Sequence, residues 1–213
     1  TLKYYLSFIQ NYQLYSTMAQ AISKKEIKNL PRIPYEKIRD NIQTGDIVFC
    51  SGSYVFSGII QKLTKSVWSH VAVVYKDEEL ERILILEAEP YAGIRLIPLS
   101  NYLKDYKGKR RSYKGQMVIA KLKEPVEDIS LNRGISFGLD ALTKPYDNYE
   151  IFRIMIRILF HISKRERNRS YICSELVRDI FAKAGVVIQY NDTYISPDNI
   201  WNDNRFEYKY RIL

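Results

Sequence analysis

A chain of 213 residues has room for one large domain or two small ones. Its 46% hydrophobic and 27% charged content is that of a globular protein with a substantial core. No apolar run approaches the roughly eighteen residues of a spanning helix, which excludes a transmembrane segment of that kind. The formal net charge is +9, with basic residues crowded into 104–114 and 164–169. Such runs are solvated loops and helix ends, or they attract an anionic partner such as an acidic wall polymer or an anionic membrane face. Zinc-finger, phosphate-loop and RNA-binding signatures are missing, so a nucleic-acid partner is not expected. The chain begins at Thr1 rather than Met, consistent with a leader that was removed or left out, and its first residues do not read as a retained signal peptide.

In chain order, residues 2–22 have helical apolar spacing (Leu2, Tyr5, Leu6, Ile9, then Leu14, Met18, Ala21, Ile22) and read as an N-terminal helical arm, 1–34, closed by Pro31 and Pro34. The remainder, 35–213, reads as one α+β domain. Thr44-Gly45-Asp46 is a turn, and a short buried strand over 47–50 follows it. Residues 54–65 have helical spacing. A strand over 67–75 and a nearly all-apolar strand over 82–88 flank the turn Asp77-Glu78-Glu79, which predicts an antiparallel hairpin buried on both faces. A third strand over 93–97, a helix over 98–106 and a strand over 116–122 come next. Pro125 opens a helix expected to run to Leu142, with proline near its first turn. Residues 151–162 form an apolar helix with Arg153 and Arg157 on one side. A helix over 173–184 ends at Gly185, and 186–188 is an edge segment. Ser196 caps a last helix with Pro197 at its first position, and 206–212 is a final strand.

The chemistry centres on Ser170-Tyr171-Ile172-Cys173-Ser174-Glu175. Cys173 stands at the start of a helix, where first-turn N–H groups and the helix dipole favour thiolate. It also shares a face with Leu176, Val177, Ile180 and Ala184, so a plain core thiol remains the competing reading. A cysteine nucleophile needs a base, and the base needs an orienting acceptor. The chain has two histidines. His70 opens one strand of the predicted hairpin, and Glu87 ends the other. The turn sets pairing at positions whose numbers sum to about 157, which places His70 opposite Glu87. Glu89 points to the same face and is the rival orienter. His161, on the apolar helix, reads as a structural or surface residue. Cys50 reads as a small core residue. A zinc site would require Cys50, His70, His161 and Cys173 to converge without a close ligand pair, so no metal or other cofactor is expected. Two cysteines give no disulfide framework, and free thiols are the simpler state.

These residues resemble the circularly permuted papain-like amidases of the YaeF/YiiX type, a branch of the NlpC superfamily related to lecithin retinol acyltransferase. The matching pieces are Gly45-Asp46-Ile47-Val48-Phe49, Trp68-Ser69-His70-Val71, Leu86-Glu87-Ala88, Lys144-Pro145-Tyr146-Asp147, Tyr171-Ile172-Cys173-Ser174-Glu175-Leu176 and Ser196-Pro197, in that order. The resemblance implies a permuted papain-like fold, an antiparallel sheet or barrel packed against helices. It implies Cys173 as nucleophile, His70 as base, Glu87 as orienting acid and Tyr146 at the oxyanion hole. It also implies a peptide or acyl-amide substrate, from cell-wall peptide or lipid-linked groups; location, whether cytoplasmic or at a membrane or envelope surface, stays open. A lipid acyltransferase and a non-catalytic groove-binding module are the alternatives.

Overall fold

A computed structural model of the protein describes residues 22–53, 57–58, 61, 66–89, 92–143, 172–188 and 195–213. The strands are β1 (Ile47–Gly52), β2 (His70–Asp77), β3 (Arg82–Glu89), β4 (Gly93–Pro98), β5 (Gly115–Leu122) and β6 (Phe206–Arg211). The helices are α1 (Lys24–Asn29), α2 (Tyr35–Ile38), α3 (Leu99–Lys104), α4 (Asp128–Leu139), α5 (Cys173–Lys183) and α6 (Pro197–Trp201). The strands form one antiparallel sheet in the order β4-β3-β2-β1-β5-β6. It is an open sheet with β4 and β6 at its edges, so the barrel form of the expected architecture is not the one adopted.

The sequence of β1 and β2 explains why helices lie on both sides. Ile47, Phe49, Val71 and Val73 feed one core layer, and Val48, Cys50, Ala72 and Val74 feed the other. A strand apolar at every position must be covered on both faces. Leu176, Val177, Ile180 and Phe181 of α5, Ile135 of α4, and Ile200 and Trp201 of α6 close the first layer. Leu99 and Tyr102 of α3 and Ile38 of α2 close the second. Residues 31–33 run along the edge strand β6, with Arg211 N donating to Pro31 O at 2.8 Å and Ile33 N to Arg211 O at 3.0 Å.

Several predicted boundaries move, each for a local reason. β1 continues past Cys50 because Ser51 and Gly52 still pair with Gln116 and Gly115. β2 starts at His70 rather than at 67, since Trp68 is drawn into an aromatic cluster with Phe49 and Trp201 (ring centroids 5.3 and 4.7 Å). The helix expected over 98–106 stops at Lys104. A separate single turn, Tyr106–Gly108, follows with Lys107 at φ 56°, which a continuing helix forbids. Pro125 lies ahead of α4, whose N-cap is Glu127. Residues 186–188 are not a strand. Of the helix expected over 2–22 only Ile22 is described, and it is not helical; the helix expected over 151–162 lies outside the described residues, and of 54–65 only residues 57, 58 and 61 are described, all helical.

α5 is held at both ends. At its C-terminus Gly185 takes φ 83°, Val186 N donates to Phe181 O at 2.8 Å, and Gly185 N donates to Ala182 O at 3.1 Å. That is the paired 6→1 and 5→2 closure of a Schellman cap. Near its N-terminus, buried Ser174 donates from Oγ to Ile195 O at 2.5 Å. Along its length α5 packs on α4, where glycine permits close approach. A Cβ at Gly134 would stand 2.5 Å from the Ile180 carbonyl oxygen, and one at Gly138 would stand 2.4 Å from Leu86 Cδ2. A backbone oxygen cannot step aside as a side chain does. Gly134→Ala is therefore expected to destabilise the fold by about 1–3 kcal/mol despite the better helix propensity of alanine, read as a lower urea midpoint at unchanged m-value.

Candidate active site

The site forms where the start of β2, the end of β3 and the first turn of α5 meet. His70 is the first residue of β2 and pairs with Cys50 of β1. Its approach is fixed by the two residues before it. Trp68 is fully buried. Ser69 Oγ accepts from Gly52 N at 3.1 Å and donates to Cys50 O at 3.3 Å, which ties the entry of β2 to β1.

The hairpin register differs by two residues from the one expected. Val73 faces Leu86 and Tyr75 faces Leu84, so continuing the ladder sets Glu87 across from Ala72, with His70 on the diagonal. A slip of two preserves the face of every side chain, whereas a slip of one would have reversed it. The contact therefore survives the error: His70 Nε2 and Glu87 Oε2 are 2.6 Å apart. Because Nε2 is committed to the carboxylate, Nδ1 is the ring nitrogen left for the thiol. Cys173 opens α5, which packs over β2 and β3, and its side chain is near enough to help raise the affinity of His70 for a proton. Cys173, His70 and Glu87 thus come together from three elements, with His70 and Glu87 in direct contact.

Glu87 is wholly buried. Burial favours its neutral form, but the hydrogen bond and charge of His70, the Arg95 guanidinium and the Tyr102 hydroxyl hold it ionised, with a pKa lowered to about 2. Arg95 donates to Oε1 from Nε at 2.8 Å and lies 2.7 Å away through a terminal nitrogen. Tyr102 donates its hydroxyl to Oε2 at 2.8 Å. For His70, burial works against the cation, yet the hydrogen bonds and charges of Cys173 and Glu87 outweigh it and raise the pKa to about 10. The His70 side chain is 13% exposed and Cys173 is partly exposed, so solvent and small reagents meet the pair at the surface of the core rather than inside it.

The N-cap of α5 is Ile172, which makes no side-chain cap bond. No side-chain oxygen at that cap competes with the thiol or with a bound anion for the first-turn N–H groups. The rival orienter Glu89 is engaged elsewhere, 2.6 Å from Lys107 Nζ. Cys50 is 1% exposed, and burial, with Glu87 and Cys173 nearby, pushes its thiol well above the ordinary range. It fits the core reading and stays protonated, although the strand register puts it directly beside His70. Tyr146 and His161 lie outside the described residues.

Arg95 and Tyr102 escaped the sequence reading. Arg95 had a signal: the third strand returns antiparallel, and in the register formed Glu87 faces Arg95. Tyr102 had none beyond its place on the next helix, being one of 18 tyrosines. Among the described residues no group of three or more His, Cys, Asp and Glu is arranged to hold a metal, and both oxygens of Glu87 are already taken. No described helix is long and apolar enough to cross a membrane.

This geometry agrees with what the chain is similar to. No curated protein matches it. A solved structure, a protein from Escherichia coli O157:H7 described as the metalloprotein yiiX, superposes with a TM-score of 0.57 at 19% identity, covering 78% of this chain and 95% of that one. At that identity the likeness speaks for the fold. The family described as permuted papain-like amidase enzyme, YaeF/YiiX, C92 family, matches over residues 41–205, well over half of the chain. The strand order, the helix-leading cysteine and the histidine–carboxylate pair are thus features of a chain that belongs to the permuted papain-like amidase family of the YaeF/YiiX type.

Proposed function

We propose that the protein is a cysteine hydrolase that cleaves an amide bond through a thioester on Cys173. The observation that carries this reading is the approach of the first turn of α5, led by Cys173, to the hydrogen-bonded pair of His70 and Glu87. His70 holds the thiol proton on Nδ1 as the imidazolium of a thiolate–imidazolium pair with Cys173, while Glu87 fixes the ring through Nε2. The thiolate attacks the amide carbonyl, and the backbone N–H of Cys173 meets the developing oxyanion. Tyr146 is the second donor by family resemblance; one such donor is commonly worth about 3 kcal/mol in the barrier. His70 returns the proton to the leaving amine, then deprotonates the water that hydrolyses the thioester.

The substrate is an amide of a wall-type peptide or of a lipid-linked acyl group. Incubation with short wall peptides and with N-acyl amides of increasing chain length, followed by intact-mass measurement after rapid acid quench, is expected to show an acyl adduct on Cys173 that hydroxylamine removes. Turnover that rises with chain length selects the lipid-linked group, and turnover indifferent to it selects the peptide. Iodoacetamide alkylation gives an independent check. Cys173 that reacts no faster than a free thiol at mildly acidic pH, and no differently in His70→Ala, would overturn the reading.

A further inference from the structure

Glu87 is bound by more than the orienting role requires. A carboxylate that only steers an imidazole needs one oxygen for the ring and water for the other. Here there is no room for water on the carboxylate, which is fully buried. Oε1 takes two nitrogens of Arg95, and Oε2 is shared between His70 and the Tyr102 hydroxyl. Arg95 comes from the facing position on the edge strand β4, and Tyr102 from α3 on the same side of the sheet. Neither is in the line that leads to Cys173.

We infer that Arg95 and Tyr102 are positioning residues of the site, which together keep Glu87 charged and locked in rotation so that His70 presents Nδ1 to Cys173. The inference rests on the proposed roles of Cys173 and His70, but the structural argument is separate. A buried carboxylate with one partner protonates or swings toward any available donor. Arg95 holds Oε1 from two nitrogens while His70 and Tyr102 hold Oε2, so with both oxygens tied to separate elements the carboxylate plane is fixed. Tyr102 then fixes how the second oxygen is shared, because its hydroxyl and the imidazole N–H approach the same atom from different elements. Tyr102 is itself anchored by ring contacts with Tyr106 and Tyr113, at 4.9 and 5.4 Å between centroids. Its hydroxyl therefore has a fixed origin. Burial and Glu87 push its own ionisation well above the ordinary tyrosine range, so it remains a donor.

The test reads Cys173 and His70 separately. Alkylation of Cys173 by iodoacetamide is followed by peptide mass spectrometry from pH 3.5 to 8 in the wild type, Arg95→Met, Arg95→Lys and Tyr102→Phe. In parallel, a His161→Gln background leaves His70 as the sole histidine, and its ring nitrogens are followed by 15N NMR over the same pH range. Arg95→Met is expected to move the acid limb of the alkylation profile up by about one pH unit, roughly a tenfold loss of rate on that limb. Arg95→Lys should restore part of it, since charge returns without the fork. Tyr102→Phe is expected to change the His70 ring-nitrogen shifts while circular dichroism stays that of the wild type. Profiles and shifts that superpose on the wild type in folded Arg95→Lys and Tyr102→Phe would overturn the inference, whatever Arg95→Met does to folding. If instead wild-type Cys173 is no more reactive than a free thiol, the nucleophile assignment fails, and the His70 shifts still decide whether Arg95 and Tyr102 act on the ring.

Discussion

Cys173→Ser is expected to remove amide turnover by on the order of 10⁴- to 10⁶-fold in kcat, the scale found when a nucleophile that works as a unit with its base is lost. The loss is specific to chemistry. Cys173 lies at the first position of α5 and only packs against the rim of the core layer formed by Leu176, Val177, Ile180 and Phe181. An oxygen for sulfur exchange there leaves the apolar face of the helix intact, so the denaturation midpoint should move little. His70→Ala should cost nearly as much. The double variant Cys173→Ser/His70→Ala should be no worse than either single one, because a proton acceptor without a nucleophile has nothing to do. Steady-state rates on one amide substrate for the four proteins decide it: losses that add in the double variant would show two independent contributions, not one unit.

The second large effect concerns Glu87 and falls on stability as well as rate. Glu87→Ala leaves the half-buried Arg95 without its anion, the Tyr102 hydroxyl without an acceptor and His70 without an orienter. Breaking a buried pair by deleting one partner commonly costs about 3–5 kcal/mol, more than the pair itself contributes, because the surviving charge stays desolvated. Glu87→Gln keeps the shape and one acceptor oxygen and should lose less stability but most of the rate. A Glu87→Ala variant with wild-type urea stability would mean that this network is not a structural element.

The same groups set the pH range of the fold. Glu87 has its carboxyl lowered from 4.5 to about 2 on folding. Its contribution is therefore present above the unfolded value and is lost as pH falls from about 4.5 toward 2. His70 is raised from 6.5 to about 10. Its contribution is full below 6.5 and is lost as pH rises toward 10. Urea midpoints should accordingly be flattest between about 4.5 and 6.5 and decline on both sides. The alkaline decline should disappear in His70→Ala and persist in His161→Gln.

How much of this was legible in the chain depends on the range of the interaction. Local chemistry named its own positions. Ser196 and Pro197 announce α6, whose capping box forms as expected. Gly185 ends α5 because it alone accepts φ 83° without strain. The continuous apolar runs in β1, β2 and β3 could only be central strands covered on two sides. The hairpin made His70 and Glu87 neighbours even though its register was misjudged, since a two-residue error leaves both on one face. Even the motif order from Gly45 to Pro197 pointed to the family.

Tertiary structure decided what sits beyond the hairpin and why the acid is an acid. Whether the sheet closes is a matter of how its edges meet, and β4 and β6 stay apart at opposite ends. The choice between Glu87 and Glu89 could not be made from alternation, because both face the same way. Lys107, held beyond the end of α3 by a backbone turn that no propensity predicts, takes Glu89. Arg95 and Tyr102 take Glu87 from two other elements. For Cys173 the sequence supplied a thiol at a helix start, equally at home in a core. The docking of α5 over β2 and β3, which brings that first turn to His70, is what supports the proposed nucleophile over a packing residue. Such docking is settled by the shapes of Gly134, Gly138, Ile180 and Leu86 in contact, not by any one of them in the chain.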